Sequence, residues 1–221
     1  MSEPHSRNRI ERIGIDESGK GDYFGPLVIA AVFVDATTQG ELRLMEVRDS
    51  KKISDGRVLE MAIDIKTICP HSVIAIGPQK YNELYAKIKN LNRLLAWGHA
   101  KALETLLERG ITCERAISDQ FGDEKLILNA LQEKGQKIVL EQRPKAESDL
   151  AVAAASILAR AEFLIRLKRL SSEVGTTLPK GASPAVELAA KMVIKKHGQE
   201  RLGLVAKLHF KTTKAVLAGR I

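Results

Sequence analysis

Cysteine is nearly absent: the 221 residues hold only Cys69 and Cys113, with no paired spacing. A disulfide framework and a zinc ribbon are thereby excluded. Both residues are expected as small buried apolar side chains in a reducing compartment. No apolar stretch approaches the ~20 residues that cross a bilayer, and Met1 to Asn8 lack the apolar core of a signal peptide. A cytoplasmic protein without membrane attachment is expected. Internal repeats, low-complexity tracts and evident linkers are also missing, so residues 1–221 read as one domain.

What the chain does have is charge and a core. Hydrophobic residues make up 44%, enough for a proper interior. Lys and Arg outnumber Asp and Glu by 35 to 27, for a net charge of +8 and a pI near 9.5. That balance favours a polyanionic partner through counterion release, although a merely basic protein would show it too.

The periodicity alternates strands with helices. Ile10 to Ile15 and the apolar run Pro26 to Val34 carry strand signals, the second buried on both faces. Ser54 is placed to cap a helix reaching about Thr67, and His71 to Ile76 alternates as a strand before Gly77-Pro78. Tyr81 to Leu107 is helical in two pieces, interrupted near Lys89 and Asn90. A short strand Ala116 to Ser118, a helix Glu124 to Glu133, a strand Lys137 to Glu141, a small-residue helix Ala151 to Leu170 and a helix Pro184 to Lys196 follow, then a basic C-terminal segment. This order predicts an α/β layered fold.

The richest stretch runs from Gly14 to Leu27, Gly-Ile-Asp-Glu-Ser-Gly-Lys-Gly-Asp-Tyr-Phe-Gly-Pro-Leu. Asp16 and Glu17 stand together at the end of a strand, followed by a turn containing Gly19, Lys20, Gly21 and Gly25. Neighbouring strand residues point to opposite faces, so the pair serves one metal centre only if the strand is ending or twisting. The glycines permit that bend, and Lys20 places a cation where amide donors face a phosphate. Asp119 ends another predicted strand, and carboxylates at several strand ends converge on one crevice in α/β sheets. Glu147 and Asp149 precede the small-residue helix, where each competes as a fourth ligand with a simple helix-start charge. Four carboxylates from separated segments suit two hard cations about 4 Å apart.

The Gly14 to Leu27 stretch resembles the opening signature of the type 2 ribonucleases H, specifically ribonuclease HIII. Asp49-Ser50-Lys51-Lys52, Tyr81-Asn82-Glu83-Leu84, Asn92 with Leu95 to Ala100, Ser118-Asp119-Gln120-Phe121, Ala151 to Arg160 and Lys207 to Thr213 follow in that family's order, over nearly the whole chain. The resemblance implies an RNase H-like core over about residues 9–170, a mixed five-stranded sheet flanked by helices, with a helical C-terminal segment over about 171–221. It further implies cleavage of the RNA strand of an RNA/DNA hybrid with two Mg²⁺ or Mn²⁺ ions, leaving 5′-phosphate and 3′-hydroxyl ends.

Asp16, Glu17 and Asp119 match the family's metal-binding carboxylates, and Glu147 matches the fourth, with Asp149 its rival. Ser18, Gly19, Lys20 and Gly21 match the loop that reads ribose 2′-hydroxyls from the minor groove. Ser50, Lys51 and Lys52 are either phosphate contacts or a solvated loop. His99 is expected to be structural, while Lys207, His209 and Thr212 are further candidates for touching nucleic acid. Family members usually carry an N-terminal domain resembling TATA-binding protein, and only 13 residues precede Gly14 here. Affinity is then expected from the catalytic domain or its basic C-terminal segment, in a monomer. Ribonuclease HII, of similar length, incises at single ribonucleotides or RNA-DNA junctions using a tyrosine in its C-terminal half. Tyr23, Tyr81 and Tyr85 all lie in the first half here, which disfavours that specificity.

Overall fold

A computed structural model describes residues 10–120, 122, 125–131, 135 and 138–218. Among them, strands Arg12–Ser18 (β1), Leu27–Val34 (β2), His71–Ile76 (β3), Arg115–Asp119 (β4) and Val139–Arg143 (β5) form a mixed five-stranded sheet in the order β3-β2-β1-β4-β5. β1 runs parallel to β4, and β4 to β5. The helices are Ala36–Leu44 (α1), Asp55–Ile68 (α2), Pro78–Ile88 (α3), Leu91–Glu108 (α4), Lys125–Leu128 (α5), Leu150–Val174 (α6), Pro184–His197 (α7), Gln199–Val205 (α8) and Lys211–Ala218 (α9).

Local chemistry explains most of these boundaries. β2 is almost wholly aliphatic and buried along nearly its entire length, as a central strand covered on both faces must be. Ser54 caps α2 by accepting the Arg57 N–H at 3.3 Å. The helical run after Pro78 breaks where expected, at Lys89, whose φ of 51° is left-handed. α1 is an addition to the expected elements; Asp35 and Thr38 close a capping box around its first turn. The expected helix Glu124 to Glu133 is seen only as α5, its two end residues lying outside the described residues along with Phe121 and Lys137.

The chain gathers into two compact units. The first comprises residues 1–17, 29–74 and 92–161; the second comprises 18–28, 75–91 and 162–221. In the first, Ala151 to Ala155 are all buried, and Gly14 shows why this part of α6 is made of small residues: a Cβ there would collide with the backbone of Ala151 and Val152. Strand and helix meet main chain to main chain. In the second, α7 packs on α8 and α9, and α3 on α8. Cys69 is buried and burial pushes its thiol up to about 12, while Cys113 is only half-buried, with Sγ donating to the Arg115 carbonyl at 3.2 Å. Among the described residues no helix is long and apolar enough to cross a membrane.

Candidate active site

The parallel pairing of β1 with β4 matches Ile13 to Ala116, Gly14 to Ile117 and Ile15 to Ser118. One step further along both strands brings Asp16 beside Asp119. Two carboxylates from segments a hundred residues apart are thus set side by side by strand register. The Asp16 carboxyl is held well above the ordinary carboxylate range, first by burial and then by the Glu17 charge, with a smaller push from Asp119. The Glu17 N–H donates to Asp16 Oδ1 at 2.8 Å and, with the Lys51 charge, works the other way. A site that raises the free energy of its own negative charge is complementary to a cation.

Each remaining carboxylate has its own surroundings. Glu17 Oε2 lies 3.0 Å from His99 Nε2. Because a carboxylate only accepts, the ring presents N–H at Nε2. His99 is fully buried on α4, next to Gly98, where a Cβ would press on Ile29. Asp119 Oδ1 accepts the Ala146 N–H at 3.3 Å, which ties the end of β4 to the short 3₁₀ turn Ala146–Ser148. Glu147 lies on that turn, half-buried, and has no side-chain partner among the described residues.

Asp149 differs sharply. Its Oδ2 is 2.7 Å from Arg12 Nε and 3.7 Å from Arg143, its Oδ1 accepts the Ala151 N–H at 2.8 Å, and its carbonyl accepts the first intrahelical N–H of α6 from Ala153. Asp149 is both a helix cap and half of a buried ion pair. Among the described residues no three His, Cys, Asp or Glu side chains stand together ready to hold a metal ion. Glu17 and Asp119 are instead turned to protein partners.

The turn Ser50–Lys52 is begun by Asp49, which accepts the Lys51 N–H at 3.0 Å, and is fastened to α6 through Ser156 Oγ on the Ser50 N–H and through Arg160 on the Ser50 carbonyl. Ser50 is buried, while Lys51 and Lys52 are exposed. In the second unit Gly19 has φ 88° and its missing Cβ would strike the Pro26 carbonyl, so only glycine fits there. Gly21 faces open space, and Ser18 and Lys20 are half-buried.

Two expected nucleic-acid contacts are corrected. Lys207 is fully buried, its Nζ donating to the Gly25 carbonyl at 2.7 Å, and Thr212 is buried as well. His209 is exposed and stacked on Tyr85 with ring centroids 4.3 Å apart. Sequence reasoning treats His99 as merely structural and misses Arg12 and Arg160. The one local hint for His99 is its place beside a glycine on a helix face of small residues.

The ribonuclease HII family model matches residues 13–213. The chain belongs to this family. Its similarity is to the HIII members: it is 52% identical to ribonuclease HIII of Protochlamydia amoebophila over 96% of this chain and 71% of that protein, and 45% identical to ribonuclease HIII of Chlamydia felis over 94% and 71%. The structure of Bst-RNase HIII in complex with Mn²⁺ superposes with a TM-score of 0.88 at 36% identity, covering 97% of this chain and 71% of that one. RNase HII of Archaeoglobus fulgidus, solved as its complex with PCNA, gives 0.76 at 30% identity over 93% and 96%. The protein is therefore a hydrolase of the ribonuclease H kind, with the sheet order and helical flanks of that fold.

Proposed function

We propose that this ribonuclease H cleaves the RNA strand of RNA/DNA hybrids endonucleolytically, with two Mg²⁺ or Mn²⁺ ions, leaving 5′-phosphate and 3′-hydroxyl ends. The observation that supports the reading is the β1–β4 register, which brings Asp16 level with Asp119 at the ends of parallel strands, where the charges of Glu17 and Asp119 both bear on the Asp16 carboxyl. Carboxylate oxygens are the donors hard divalent cations prefer, so the residues present fit the metals the family uses. Asp16, Glu17, Asp119 and Glu147 would hold them. Bound there, divalent ions would supply activation of water and stabilisation of the leaving oxygen of a phosphodiester. Glu147 is favoured over Asp149 because Asp149 is committed to Arg12 and to the start of α6.

The rest of the work falls to the chain's other side chains. His99 orients the Glu17 carboxylate. Lys51 moderates the charge at Asp16, and with Lys52 it supplies exposed cations for phosphates, whereas buried Ser50 holds their turn in place. Ser18, Gly19, Lys20 and Gly21 follow Glu17 directly and offer backbone and small polar groups to ribose 2′-hydroxyls. Residues 1–221 would act as one catalytic domain and as a monomer. The cytoplasm suits its two free thiols and hybrids left by primers or transcription.

The deciding experiment incubates the protein with Mg²⁺ or Mn²⁺ and two end-labelled duplexes, one with a long RNA tract opposite DNA and one with a single embedded ribonucleotide. Cleavage of the long tract alone is expected. Cleavage of both would indicate the specificity of ribonuclease HII, and cleavage of neither, with hybrid still bound, would make the protein a silent hybrid binder.

A further inference from the structure

Within the second unit, the base of the glycine-rich loop is held by segments more than 150 positions away in sequence. The Tyr23 N–H donates to the Gly181 carbonyl at 2.9 Å, and the Gly181 N–H donates to Asp22 Oδ1 at 2.6 Å. Tyr23 Oη meets Thr213 Oγ1 at 3.1 Å. Phe24 pairs with Ala206 in an antiparallel bridge, the Gly25 N–H donates to Val205 and the Lys207 N–H donates to Tyr23, at 2.9 and 2.8 Å. Lys207 then reaches back through the same junction, its Nζ donating to the carbonyls of Gly25 at 2.7 Å and Phe24 at 3.4 Å.

A fully buried ammonium is a costly way to fill space. An apolar side chain of similar length would fill it more cheaply, but it would leave those two carbonyls without a donor. The charge is tempered by Asp22 from the loop and by the face of Tyr81 from α3, 5.8 Å from Nζ to the ring centroid. His209, downstream, is a further titratable group beside it; although it is exposed, partial desolvation where its ring stacks on Tyr85 and the Lys207 charge lower its proton affinity. The loop therefore has a fixed base at residues 22–25 and an open tip at Gly21.

We infer that Lys207 is a positioning residue for substrate recognition, its buried ammonium holding the base of the glycine-rich loop in the form that discriminates a hybrid from duplex DNA. The inference rests on the proposed reading of 2′-hydroxyls by Ser18 to Gly21. It acts at a distance from the nucleic acid, through two main-chain carbonyls. Burial brings Lys207 down to about 7, so the charge-assisted form of these hydrogen bonds is present below that pH and gives way to the weaker neutral form above it.

The test compares wild type with Lys207→Met and Lys207→Arg in three readouts: amide exchange of residues 22–25, affinity for a long-tract RNA/DNA hybrid and for DNA duplex of the same sequence, and steady-state cleavage. Lys207→Met is expected to speed exchange in the loop base and weaken hybrid affinity about tenfold, raising KM alike while kcat stays within about threefold. Affinity for DNA duplex should hardly move, so discrimination shrinks, and Lys207→Arg should recover part of it. In wild type the hybrid affinity should fall between about pH 6 and pH 8.5, a slope Lys207→Met should lack. Unchanged loop exchange in Lys207→Met would remove the clamp. Faster exchange with unchanged hybrid affinity would overturn the reading of the loop itself. Should Lys207→Met not fold, the wild-type series decides alone: loop exchange, corrected for its intrinsic pH dependence, and affinity that both stay flat would overturn the inference.

Discussion

The first compact unit carries 19 Lys and Arg against 21 Asp and Glu, the second 16 against 6. A net charge of +8 read over the whole chain conceals this contrast. The near-neutral unit holds the crowded carboxylates, the basic unit the glycine-rich loop and the helices that follow α6. Divalent cations and polyanions make opposite electrostatic demands; on the proposed function the carboxylates of the first unit would meet one, and the basic second unit, with Lys51 and Lys52 of the first, the other.

The sharpest way to break the comparison is Asp119→Asn. Removing one carboxylate from the first unit should cut cleavage by ~10³-fold or more while hybrid affinity, measured in EDTA, stays nearly the same. Unchanged turnover would take Asp119 out of the site. Glu147→Gln and Asp149→Asn should then separate chemistry from architecture. The first should lose activity with little change in melting temperature; the second should lose about 2–4 kcal/mol of stability through the Arg12 pair, the amide oxygen still capping α6. The reverse pattern would exchange their roles.

In the second unit, Lys207 makes stability depend on pH. The unfolded chain keeps this lysine protonated to about 10.5, while the folded chain gives up the proton near 7. The unfolded state thus binds more protons in between, so stability should rise with pH there by up to about 1.4 kcal/mol per unit. Denaturant unfolding at several pH values, repeated on Lys207→Met, isolates that contribution by difference. The smallest effect concerns Lys191 and Lys195, both exposed on α7. If the basic unit grips the polyanion, changing both to Gln should weaken hybrid binding a few-fold and flatten its salt dependence by about one unit of slope for each phosphate no longer neutralised.

Much of the fold was legible because it rests on local signals. The strand His71–Ile76, the Ser54 cap, the break at Lys89 and the two opening strands all follow from periodicity and punctuation. α1 escaped because its nine residues include Gly40 and two threonines and bury only Leu42; the Asp35–Thr38 capping box was the signal available. The site was legible in its members but not in their partners. Glu147 and Asp149 look alike on paper, and what distinguishes them is an arginine 137 residues earlier. Lys207 sits in a basic segment and reads as a surface charge, yet carbonyls from residues 24 and 25 bury it. Such long-range pairings leave no trace in local composition.

The close approach at Gly14 has one further consequence. Where β1 touches the start of α6 there is no side chain to compress, rotate or melt, because main chain lies against main chain. Asp16 follows Gly14 by two residues, and Glu147 precedes Ala151 by four. The spacing of β1 and α6 at this point is therefore gauged by backbone contact, which heat hardly alters, and much less by rotamers, which it does. Position 14 works as a mechanical stop, and any side chain placed there would recalibrate the instrument.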